Sequence, residues 1–71
     1  MFSVGDIVEA TVRITRVDGR SVLNVGELAK ISQVFEGKKH QIVAIEIKDR
    51  LPIMDIVCSS ESYPLKLAAI K

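Results

Sequence analysis

Apolar side chains recur in steps of two along this chain, and that period constrains its fold more than any other feature. Val8, Ala10, Val12 and Ile14 alternate with Glu9, Thr11, Arg13 and Thr15, as in an extended strand with one face in a core and the other in water. The alternation predicts a first strand over residues 6–14. It returns at residues 41–48, QIVAIEIK, where Val43, Ile45 and Ile47 share one face and Ile42 and Ala44 take the other. No segment has helical spacing over three turns, and there is no internal repeat or low-complexity run.

Turn residues divide the rest. Asp18-Gly19 is a tight-turn dipeptide, and RSVLNV carries Asn24 toward Gly26; residues 15–26 therefore predict a long loop or splayed hairpin. From Glu27 to Phe35 β-branched and aromatic residues return, but Leu28, Ala29, Ile31, Val34 and Phe35 do not keep one alternation. A bulge near residues 26–29 would reconcile them. EGKKH then reads as a hairpin tip. A break at residues 49–52, containing Pro52, precedes a fourth strand at 53–58; SSESYP is a polar turn, and Leu65, Leu67 and Ile70 belong to a closing strand. Five short strands in 71 residues predict one all-β domain, residues 1–71, curled into a small barrel that removes exposed edges.

The composition narrows the function classes. One cysteine, Cys58, and one histidine, His40, provide neither a disulfide nor a metal site within one chain, so no metal or cofactor is expected. A lone thiol and an opening without signal-peptide character lead to the expectation of a cytoplasmic protein. No uncharged apolar run approaches the roughly 20 residues that span a bilayer. The net charge of +1 gives no global field toward a polyanion.

The order VGDIVEATV, a loop, VGELAKISQV, a polar tip, QIVAIEI and PLKLAAI resembles the small SH3-like barrels of bacterial and phage proteins over nearly the whole chain. The resemblance implies a five-stranded SH3-like barrel with a GD-containing first strand and a short leucine-containing last one. Ala29 stands where such barrels often carry a second glycine. Peptide-binding SH3 domains grip polyproline helices in a groove of aromatics that includes tryptophan. This chain has no Trp, one Tyr and two Phe, so only Tyr63-Pro64 echoes that groove.

Catalytic groupings are absent from the pattern. His40 reads as part of a solvated turn, Cys58 as a buried inert thiol, and the carboxylates Asp6 with Glu9 and Asp49 with Asp55 as turn or strand-edge residues. The expectation is a protein without enzyme activity. Its apolar surplus, 48% of residues with a mean hydropathy of +0.27, exceeds what so small a core can hide. If Val43, Ile45 and Ile47 point inward, then Ile42 and Ala44 point outward; the fourth strand likewise sets Ile53 and Val57 opposite Met54, Ile56 and Cys58. The expected function is a protein-interaction module docking to a partner, or to itself as a homo-oligomer, through Ile42, Ala44, Ile53, Val57 and Tyr63. The alternative is nucleic-acid binding by Arg13, Arg16, Arg20, Lys38 and Lys39, should the first loop and the hairpin tip converge.

Overall fold

The computed structural model describes residues 2–69; Ile70, expected in the closing strand, lies outside them. Seven strands form: β1 (Ile7–Ala10), β2 (Ile14–Thr15), β3 (Val22–Leu23), β4 (Leu28–Glu36), β5 (His40–Glu46), β6 (Ile53–Ser59) and β7 (Leu65–Leu67). Five make an antiparallel sheet in the order β6-β5-β4-β1-β7, while β2 and β3 pair separately as a short hairpin.

The predicted first strand is shorter than its alternation. Val8 and Ala10 are buried as expected, but the strand stops at Ala10 because Thr11 turns to other partners. Its amide donates to Pro64 O at 2.8 Å and its hydroxyl to Tyr63 O at 2.6 Å, which swings Val12 into solvent. The chain then re-enters as the β2–β3 hairpin, turning at Gly19, whose φ of 73° suits glycine. The long loop or splayed hairpin expected over residues 15–26 is a short hairpin, whose first strand begins one residue earlier, at Ile14.

The barrel expectation is corrected in one respect: the five-stranded sheet does not close. Its edge strands, β6 and β7, do not pair with each other. Closure is unnecessary because other groups cover the open side of the core. Leu23 from β3 and Phe2 from the N-terminal segment are buried in it, and Ile14 packs against it. They join Val8, Ala10, Ala29, Ile31, Val43, Ile45, Ile53, Ile56, Cys58 and Leu65 in one cluster.

Two irregularities flank the same residue of the central strand. On one side Ile31 faces Ile45 but Gln33 faces Ala44, so β4 carries an extra residue at Ser32. On the other, Val43 faces Ile56 but Ile45 faces Ile53, so β6 carries an extra residue among Met54 and Asp55. Asp55 takes a left-handed φ of 59° there. Each bulge advances its strand by one residue and reverses the side-chain parity beyond it. That is why Ile31 and Val34, three apart, both face the core, and why Ile53 and Ile56 do too. The broken alternation noted over Glu27 to Phe35 is real, but the bulge expected near residues 26–29 lies at Ser32 instead.

Polar ties hold the covering pieces down. The Gln41 side chain, buried on the inner face, accepts from Phe2 N at 2.9 Å and donates to Phe2 O at 3.0 Å and to Glu36 Oε1 at 2.6 Å. At the opposite end of β5, Arg50 donates to Val22 O at 2.7 Å and holds Glu27 with two bonds of 2.9 and 2.6 Å. Glu27 also accepts from the backbone and side-chain nitrogens of Asn24. Arg16 donates to Pro52 O at 2.7 Å, so the hairpin is pinned beside the start of β6.

The Arg50 guanidinium and the Asn24 amide lower the Glu27 carboxyl from 4.5 to about 2. A carboxylate favoured in the folded state contributes its stability above its ordinary value and loses it as pH falls toward the folded one. Glu27→Gln is therefore expected to melt earlier than the parent chain above pH 5, with the gap narrowing as pH drops from about 4.5 to about 2. Thermal melts over that range check this. At the second bulge, Asp55→Gly is expected to hold or raise stability, whereas Asp55→Ile lowers it by about 1–2 kcal/mol, measured by urea unfolding.

Candidate protein-docking face

The register that buries one face of β4, β5 and β6 aligns apolar side chains on the other. Phe35 pairs with Ile42 and Ile42 with Val57, so three apolar residues form a continuous row across three strands. Cross-strand neighbours of this kind stand about 5 Å apart. Phe35 is 66% exposed and Val57 52%, with Met54 at 54% and Val4 at 65% nearby; Ile42 between them is half-buried. The two bulges bend the sheet at Ala44 and leave a shallow concavity of about 470 Å³ lined by Val4, Phe35, Ile42, Ala44, Met54 and Asp55, among others. Ala44 is only 5% exposed and forms the floor. Ser32 Oγ donates to its carbonyl at 3.2 Å.

The expected docking residues are divided by this geometry. Ile42, Ala44 and Val57 come together on the outer face. Ile53 does not: at 2% exposure it is in the core, because the bulge reverses parity between it and Val57. Tyr63 stands apart as well. Its ring meets Phe2 edge-on with centroids 6.4 Å apart, and Phe2 is bound to Gln41, whose side chain faces inward with Val43 and Ile45. Phe35, Met54 and Val4 escaped the sequence reading. Phe35 could have been found by setting Lys38 and Lys39 as the hairpin turn, since that register places it opposite Ile42.

The basic residues do not converge. Lys38 and Lys39 occupy the β4–β5 turn, beside His40 at the start of β5. Arg16 and Arg20 lie on the β2–β3 hairpin, which is tied to Pro52 at the far end of the same strand. Seven residues of strand separate the two groups by about 20 Å. Arg16 is further engaged with Asp18 at 3.0 Å. Arg13 lies between β1 and β2.

Several other titratable groups have local partners or shape turns. Asp6 accepts from Ser3 N at 2.8 Å and Glu9 pairs with Lys66 at 3.6 Å; Asp49, with a φ of 61°, shapes the β5–β6 loop. Burial pushes the Cys58 thiol up, the opposite of what activates a nucleophile. The His40 ring rests on Gly37, where an added Cβ would come within 2.7 Å of it. Among the described residues, no group of three or more His, Cys, Asp or Glu is placed to hold a metal ion.

The division of faces has a direct test. Ile53→Asp places a carboxylate in the core and is expected to unfold the chain, at a cost above about 4 kcal/mol. Val57→Asp is expected to change stability by about 1 kcal/mol or less. Equal effects in circular-dichroism melts would contradict the register. Comparison of the chain with protein-family models, with curated proteins and with solved structures gives no match.

Proposed function

We propose that this chain is a non-catalytic protein-interaction module that docks through the apolar outer face of β4, β5 and β6. The row Phe35, Ile42 and Val57 carries the reading. Three paired apolar side chains beside a bent concavity supply the non-polar centre that protein interfaces require, while Gln33, Ser59 and Asp55 supply a polar rim. The strand order favours an SH3-like arrangement within this reading. β1 lies between β4 and β7, and the β2–β3 hairpin is inserted after it in the chain, although the sheet remains open. A reducing, cytoplasmic setting suits the single buried thiol, Cys58.

Nucleic-acid binding finds less support, because the loop arginines and the turn lysines sit at opposite ends of β5. Affinity capture from the native cell separates the two readings. A protein partner retained by the parent chain and lost with folded Phe35→Asp and Val57→Asp is the expected result. Retention by both folded variants would remove the outer face from consideration, and a low-salt gel shift abolished by Lys38→Ala and Lys39→Ala would favour the alternative.

A further inference from the structure

We infer that the outer face receives an arginine side chain of a partner protein, held over Ala44 between Asp55 and Gln33, with the partner's apolar residues on the row Phe35, Ile42 and Val57. The inference rests on the docking reading and adds the chemistry of the partner.

The register defines the seat. Gln33 pairs with Ala44 on one side, and on the other Ala44 faces the extra residue of β6, among Met54 and Asp55. Asp55 and Gln33 therefore flank Ala44 from opposite sides, two strand spacings or about 10 Å apart across the sheet. All three line the concavity of about 470 Å³, and its floor carries only the Ala44 methyl group. The row Phe35, Ile42 and Val57 lies two residues along each strand, about 7 Å away. An arginine laid across Ile42 covers that distance, with its methylenes on the apolar row and its guanidinium over Ala44.

Charge selects the cation. Asp55 is the one charged residue lining the concavity, and among the described residues its carboxylate has no hydrogen bond or ion pair. The chain's own candidate is engaged elsewhere: Arg16 lines the adjoining hollow with Asp55, but its guanidinium is held by Asp18 at 3.0 Å and by Pro52 O at 2.7 Å. A partner seated on the apolar row covers Asp55 and strips its water. A carboxylate buried without a counter-charge is strongly unfavourable, so this face rejects a wholly apolar partner. It also rejects a second copy set face to face, which brings another carboxylate. The Gln33 side chain is likewise without a partner among the described residues, which leaves its carbonyl oxygen to accept a further N–H. A planar guanidinium donates to two acceptors on either side of a floor, whereas a lysine ammonium is a compact point charge.

The backbone gives an independent reason. Asp55 holds a φ of 59°, a left-handed conformation that glycine takes at less cost. No contact of its side chain within the chain offsets that strain, and such positions gather at binding sites.

Two capped pentapeptides test this, one with arginine at its centre between valine and leucine, the other with citrulline, which keeps the shape and loses the charge. Each is titrated to about 5 mM into the isotope-labelled chain and followed by amide chemical shifts. The arginine peptide is expected to shift Gln33, Ala44 and Asp55 and to bind about tenfold or more tightly than the citrulline peptide, with the preference shrinking as salt rises. Asp55→Asn, which tolerates a left-handed backbone, is expected to keep the melting temperature and abolish the preference. Ala44→Leu fills the floor and is expected to weaken the arginine peptide about tenfold; should it fail to fold, Asp55→Asn still decides. Asp49→Asn, at the left-handed position of the β5–β6 loop, leaves binding unchanged. Equal binding of the two peptides, or a preference that survives in folded Asp55→Asn, overturns the inference. Where both peptides bind equally and Phe35→Asp removes both, the docking reading stands with an uncharged partner. If neither peptide binds, the arginine falls, and the capture experiment with Phe35→Asp decides the docking reading on its own.

Discussion

The register of β5 against both neighbours governs the rest of this molecule. Ala44 sits between an extra residue on β4 and another on β6, so the pairing shifts by one residue on each side of the central strand. The bend wraps the inner face around Ile31, Val43, Ile45, Ile53 and Ile56 and opens the outer face into a concavity. A flat ladder of the same residues would have turned Ile53 to solvent. Core and outer concavity are two consequences of one distortion.

A core this small depends on its covers. Leu23 and Phe2 close the open side, and each comes from a segment with little regular structure of its own. Their positions are held by Arg50 and Glu27 in one case and by Gln41 in the other. The Gln41 amide acts toward Phe2 as a strand backbone would, accepting and donating at once. Losing such a partner leaves buried donors and acceptors unpaired, which costs about 1–3 kcal/mol.

Much of the strand content was legible because the step-of-two pattern is a local consequence of backbone geometry. Val8 and Ala10 and Val43 and Ile45 follow from it, and the turn at Asp18 and Gly19 follows from the turn preference of that dipeptide. The end of β1 was not legible: Val12 continues the alternation, yet Thr11 is captured by Tyr63 and Pro64, more than fifty residues away. Of the expected docking set, Ile42, Ala44 and Val57 share a face because they are counted from a regular strand pair. Ile53 was misplaced because parity was carried unchanged through Asp55, and Phe35 was missed because its exposure depends on pairing rather than on its own segment.

The sequence by itself determined that this protein is built of short strands, that they would bury isoleucine and valine, and that more apolar surface exists than one such core can enclose. These properties follow from spacing and composition, which any extended backbone must obey. Only the tertiary structure decided which residues form the surplus, whether the sheet closes, and that the arginines and lysines stay apart. Those outcomes turn on two inserted residues and on hydrogen bonds between distant segments, and neither is encoded in the local alternation of side chains.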